Sequence, residues 1–190
     1  MTKEKLHISL HSGRLSKAKV DQLVDELMFQ PNMVGSLLEE ILVEEQEGTF
    51  NASWTFRHLM QKKLDYLLPF LNEFTEMLGN LKSEATIRSM ACVCEMVCIT
   101  YFKKEDPAFQ KNISDEQLEK IMTACFDWLI SPMNMAPKVF SMTSLYYLGL
   151  KLDWVHPQLR LTLEDTYASG TTGYKNRAKK TLDKLAQIGH

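Results

Sequence analysis

Apolar side chains recur every three to four residues along most of the chain, and their stripes predict one helix after another. No alternating strand pattern of useful length appears, so the fold class is all-α. Ahead of Ser16 the pattern is unclear. From Ser16 to Phe29, Val20, Leu23, Val24 and Leu27 mark one helical face, which Pro31 ends. Residues 31–44 repeat the pattern with Val34, Leu37, Leu38, Ile41 and Leu42, and Gly48 reads as the break after this first hairpin. A second pair is expected from Ala52 to Lys63 and from Leu64 to Leu81, the latter striped by Leu64, Leu67, Leu68, Leu71, Phe74, Leu78 and Leu81. The third begins near Ser83 with Ile87, Met90, Ala91, Cys94, Val97, Cys98 and Tyr101, and a loop over 104–113 follows. Ser114 and Gln117 have the spacing of a capping box and open the partner helix, whose buried face runs from Leu118 to Leu129 before Pro132. A fourth pair is expected over 135–151 and 154–168, and a final amphipathic helix over 174–188. Residues 139–148 are apolar nearly all round, as in a helix covered on two sides.

One phrase occurs twice. Asp65-Tyr66-Leu67-Leu68-Pro69-Phe70-Leu71 returns 88 residues later as Asp153-Trp154-Val155-His156-Pro157-Gln158-Leu159. That separation is two periods of about 44 residues, within the range of helical-pair repeats. A basic residue also stands early in successive first helices, at Arg57, Arg88, Lys138 and Arg177. In the repeated phrase and these bases, residues 31–188 resemble the HEAT-like α-solenoids. The resemblance implies a single domain over 1–190, a right-handed α-α superhelix of about four HEAT-like pairs with a C-terminal capping helix. It also implies a concave surface suited to binding.

Ala124-Cys125-Phe126-Asp127-Trp128-Leu129-Ile130 and Phe140-Ser141-Met142-Thr143-Ser144-Leu145-Tyr146 are similar to stretches of short bacterial HEAT-like proteins often labelled adenylosuccinate lyase. The lyase superfamily carries a flexible Gly-Ser-Ser-x-Met-x-x-Lys-x-Asn loop whose serine takes the substrate proton. Here the segment from Ser131 to Lys138 keeps Met-x-x-Lys, but Phe140 replaces the asparagine and the glycine is missing. With a chain less than half the superfamily's usual length, lyase activity is a remote alternative. The segment reads more simply as a turn, with Pro137 in the first turn of a helix, where its missing donor costs nothing.

Composition is that of an ordinary globular protein, 45% hydrophobic and 24% charged. The 22 basic and 24 acidic residues give a net charge of −2, without the field that draws a protein onto phosphate backbones. Charge is local instead: Glu39, Glu40, Glu44, Glu45 and Glu47 cluster near one end, and Lys175, Arg177, Lys179, Lys180 and Lys184 near the other. Each reads as a solvated helix face. No signal-peptide pattern and no run of about 18 to 20 apolar residues is seen, so a cytoplasmic protein without membrane contact is expected.

Candidate chemistry is sparse. Cys92, Cys94 and Cys98 share a predicted helix with Cys92 pointing away from the other two, so they cannot converge on one ion and read as buried thiols. Cys92 shares a face with Arg88, which makes its exposure decisive for reactivity. His7, His11, His58, His156 and His190 form no metal-ligand pair on a predicted helix face. No metal, cofactor or catalytic set is expected, and the enzyme question leans towards no. HEAT-like DNA glycosylases offer a second resemblance, with Trp54, Trp128, Trp154, Asp127, Arg57, Arg88 and Lys138 as candidate matches, although balanced charge disfavours duplex binding. The first expectation is a protein or peptide bound by Arg57, Arg88 and Lys138 with Trp54 and Tyr147, because arginine and aromatic residues dominate binding hot spots.

Overall fold

The computed structural model describes residues 1–43, 46–132 and 135–189, with the side chains of Gln46, Glu47 and Met135 outside that description. Among the described residues all regular structure is helical. The chain divides into two compact units, Met1–Val93 and Cys94–His190.

The first unit contains α1 (Lys3–Leu10), α2 (Lys17–Leu27), α3 (Met33–Leu42), α4 (Gln46–Lys62), α5 (Leu71–Met77) and the start of α6 (Glu84–Cys98). The Thr2 hydroxyl accepts from the Lys5 amide and the Ser16 hydroxyl from the Lys19 amide, each satisfying a donor that a helix start leaves open. Helices α1, α2 and α3 all pack on α4. Phe56 of α4 is fully buried and stacks on Phe74 of α5, with ring centroids 6.0 Å apart. Leu6, Leu10, Leu23, Leu27, Leu37 and Ile41 fill the remaining core. Each such side chain contributes roughly 1.5–3 kcal/mol by leaving water.

Buried Asn51 ties the α1–α2 connection to α4. Its amide nitrogen donates to the carbonyls of Leu10 at 2.8 Å and Gly13 at 2.9 Å, and its oxygen accepts from the Leu15 amide at 3.2 Å. A buried amide with this many partners offsets its desolvation, so a polar residue fixes a loop inside an apolar core.

Several expectations are revised. Helix α1 occupies the segment that the sequence pattern left unassigned. Helix α4 begins six residues before Ala52 and runs through Gly48, which is no break: a Cβ there would collide with the His11 ring. Residues 64–81 are not one helix. A 3-10 stretch, Leu64–Phe70, precedes α5, and a short 3-10 turn, Leu78–Asn80, follows it. Pro69 cannot donate to a helical ladder and clashes with the preceding turn, which prevents an α-helix from running through. The buried stripe of Leu67, Leu71, Phe74 and Leu78 survives the change of geometry.

The second unit holds the end of α6, a π-helical turn Ile99–Lys103, α7 (Pro107–Asn112), α8 (Asp115–Ile130), α9 (Met135–Leu148), α10 (Val155–Tyr167) and α11 (Thr172–Gln187). Here α9 is central, with α8, α10 and α11 packed on it. Ser114 and Gln117 form the expected reciprocal capping box. The segment expected as a loop contains α7, started by Asp106, whose carboxylate accepts from the Ala108 and Phe109 amides, with Pro107 at the first helical position. At the end of α9 the His156 ring sits where a side chain on Gly149 would be, and its Nε2–H donates to the Tyr146 carbonyl at 2.7 Å. This satisfies one of the carbonyls that a helix end leaves open.

The repeated phrase places one copy in each unit. Leu67 and Val155 are buried at matching positions, and so are Leu71 and Leu159. Among the described residues one helical stretch, Glu84–Lys103, is long and apolar enough to cross a membrane, although no such run was expected. Two-thirds of its most apolar window is buried inside the protein, which accounts for the composition as that of a core element.

Candidate functional site

Three of the five residues expected to bind are gathered in one cavity of the first unit. Trp54 and Arg57, three residues apart on α4, share a helix face, and Arg88 reaches the same cavity from α6. The cavity has a volume of about 620 Å³ and is also lined by Arg14, Phe50 and Glu84. The Arg14 guanidinium lies over the Phe50 ring, 3.4 Å from its centroid, and Phe50 meets Trp54 with centroids 5.7 Å apart. Three guanidinium groups and two aromatic rings therefore surround the space, and among the described residues Glu84 is the one acidic residue in its lining. Arg57 Nε is buried with no hydrogen-bond partner among the described residues. Arg14 and Phe50 were missed because one lies in the unassigned start and the other in the segment read as a break. The signal for Phe50 was its spacing, four residues before Trp54 and seven before Arg57.

The indole N–H of Trp54 donates to His58 Nε2 at 2.8 Å, which requires that nitrogen to be unprotonated. The pKa of His58 is lowered from its ordinary value of 6.5, first by burial and then by the Arg57 charge, with smaller contributions of the same sign from Lys17 and Lys62 and an opposing one from Asp21. The cation in the cavity thus helps to keep neutral the imidazole that orients the indole.

Lys138 and Tyr147 are not brought into this cavity. Both belong to α9 of the second unit, where nine residues place them on opposite sides of the helix. Burial lowers the Lys138 pKa and raises that of Tyr147, to which Tyr146 and Glu95 also contribute. Arg177 donates to the Thr143 hydroxyl at 2.7 Å and lies 3.6 Å from Glu95, while Lys184 stands over the Tyr146 ring at 5.1 Å. The basic end of the chain is therefore more than a solvated face.

The other candidates separate by burial. Trp128 is a core residue at 3% exposure, which removes it from any surface set. Trp154 is exposed and stacks on Phe126 with centroids 5.7 Å apart. All four cysteines are buried and outside any disulfide, Cys92 included, so its neighbour Arg88 has no accessible thiol to activate. Burial, followed by the neighbouring Cys125, pushes the Cys98 thiol well above its ordinary pKa. Of the segment from Ser131 to Lys138, Met133 and Asn134 lie outside the described residues, as does the Met135 side chain.

Of the acidic run, Glu44, Glu45 and the Glu47 side chain lie outside the described residues, whereas Glu39 and Glu40 both engage α1. Glu39 pairs with Lys3 at 3.1 Å. Glu40 is held by two histidines: His7 Nδ1 lies 2.9 Å from one carboxylate oxygen and His11 Nε2 3.0 Å from the other. His7 lies within α1 and His11 caps its end, four residues apart on one face, a relation hidden while no helix was expected there.

Compared with models of known families, with curated proteins and with solved structures, the chain gives no match.

Proposed function

We propose that the chain is a non-catalytic HEAT-like helical-repeat module that binds a protein or peptide through the arginine-lined cavity of its first unit. The observation that carries this reading is the convergence of Arg14, Arg57 and Arg88 on one space with Phe50 and Trp54, against Glu84 alone among the described residues. A guanidinium recognises a carboxylate with two parallel charge-assisted hydrogen bonds, and an aromatic wall adds apolar contact at low entropic cost. An acidic segment with a neighbouring apolar side chain supplies both complements. The buried Arg57 Nε gives such a carboxylate a donor whose desolvation has already occurred.

The same cluster of Trp54, Arg57 and Arg88 favours one alternative, a HEAT-like glycosylase acting on alkylated DNA. The balance of 22 basic and 24 acidic residues weighs against it, since duplex affinity comes largely from phosphate neutralisation. The two readings separate in a capture experiment. Tagged chain is incubated in extract of its own cells beside the Arg57→Glu/Arg88→Glu variant, with circular dichroism confirming the variant's helical content. A stoichiometric protein retained by the first and lost by the second is the expected result. Co-purifying nucleic acid, or no stoichiometric protein, overturns the reading. Steeply salt-dependent binding of abasic or alkylated duplex then supports the glycosylase, and release of fumarate from adenylosuccinate the remote lyase alternative.

A further inference from the structure

We propose that His7, His11 and Glu40 form a binding site for a divalent transition-metal ion of the zinc class. The proposal concerns a different part of the first unit and does not depend on the arginine cavity. Its basis is convergence. One ligand atom from each of the three residues lies within 4.8 Å of the other two. Against the one oxygen that both rings reach, Glu40 Oε2, His7 Nδ1 stands at 3.2 Å and His11 Nε2 at 3.0 Å. Ligands at 2.0–2.1 Å from a tetrahedral zinc stand about 3.3 Å from one another, so small side-chain adjustments bring this set to coordination distance.

The three groups are held from different directions. His7 and His11 project from the end of α1 with ring centroids 4.2 Å apart, and Glu40 comes from α3. The His11 ring occupies the space that a side chain at Gly48 of α4 would need, so the absence of a Cβ there lets the imidazole reach Glu40. The adjacent lysine, Lys3, is paired with Glu39. Glu40 receives N–H donors from both rings. A metal ion replaces those two contacts when each neutral ring carries its proton on the other nitrogen, leaving lone pairs on His7 Nδ1 and His11 Nε2. Two neutral imidazoles and one carboxylate then offer a net charge of −1 to a cation. Imidazole nitrogen with one carboxylate suits zinc and its first-row neighbours better than calcium or magnesium, which prefer all-oxygen shells. His7 is exposed and Glu40 half-buried, so solvent reaches the set from the His7 side and a water can complete the tetrahedron.

The test uses the untagged full chain titrated with Co²⁺ and followed by its visible ligand-field absorption, then back-titrated with Zn²⁺. A 1:1 Co²⁺ spectrum of tetrahedral or five-coordinate type, abolished by one equivalent of Zn²⁺, is expected. His7→Ala removes an exposed ring, and Glu40→Gln keeps the side-chain shape. Each should weaken Zn²⁺ binding more than about tenfold, since even outer-shell changes at metal sites cost 10- to 100-fold. His58→Gln should leave binding unchanged, and circular dichroism confirms that each variant is folded. No ligand-field band at protein-equivalent Co²⁺, or affinity that His7→Ala and Glu40→Gln leave unchanged, overturns the proposal.

Discussion

At the scale of single residues, polar side chains inside or beside the helices do much to fix them. Asn51 exchanges three hydrogen bonds with the α1–α2 connection, His156 closes the end of α9, and His58 orients Trp54. The last of these titrates. Because the folded-state pKa of His58 lies below the ordinary 6.5, the unfolded chain binds more protons over the interval between the two values. Stability from this residue is therefore complete above pH 6.5 and is lost as the pH falls through the folded pKa. Protonation also places an N–H opposite the Trp54 N–H and removes their bond. Urea midpoints of the wild type should fall more steeply between pH 7.5 and 5 than those of His58→Gln, whose side-chain oxygen still accepts from the indole. Equal slopes in the two proteins would contradict this account.

At the scale of elements, caps and proline decide what the apolar stripes cannot. The box at the start of α8 satisfies two backbone donors reciprocally, and Ser114→Ala removes one arm of it. The expected loss is about 1 kcal/mol, read as a lower urea midpoint with unchanged slope; a midpoint unaltered within error would show that water replaces the hydroxyl at no cost. Helices α2, α3, α8, α9, α10 and α11 were legible because each presents a long stripe or a clear start and stop. Helix α1 was not. It is short, and its Leu6, Ile8 and Leu10 alternate as strand residues would, although only Leu6 and Leu10 are buried. Gly48 misled for a different reason, because a glycine that admits the His11 ring looks in sequence like one that ends a helix. Pro69 divided a stripe of which Leu67, Leu71, Phe74 and Leu78 are buried while Leu64, Leu68 and Leu81 are only half-buried. The residues of the two candidate sites followed the same rule. Arg57 and Arg88 were readable as bases early in successive first helices and Trp54 as their aromatic neighbour, whereas Arg14 and Phe50 lay in segments whose helical context was missed, and His7, His11 and Glu40 meet only through tertiary packing.

At the scale of the molecule, the repeated phrase and the central helices give the two units a common plan: α4 is surrounded in the first as α9 is in the second, and each unit carries one copy of the phrase. Helix α6 runs through the division at Val93 and Cys94. Ile87 and Met90 before that division and Val97 and Cys98 after it are all fully buried. Helix formation is cooperative along a continuous ladder. A disturbance of one half of α6 can therefore reach the other through the shared ladder. Phe56→Ala, which empties a fully buried site beside Phe74, should cost about 3–5 kcal/mol. If the shared helix couples the cores, this change displaces the whole unfolding transition, and Trp54 in the first unit reports the same midpoint as Trp128 and Trp154 in the second when single-tryptophan variants are compared. Two separated transitions, with only the Trp54 signal shifted, would show that α6 can unravel at the division and that each unit stands on its own core.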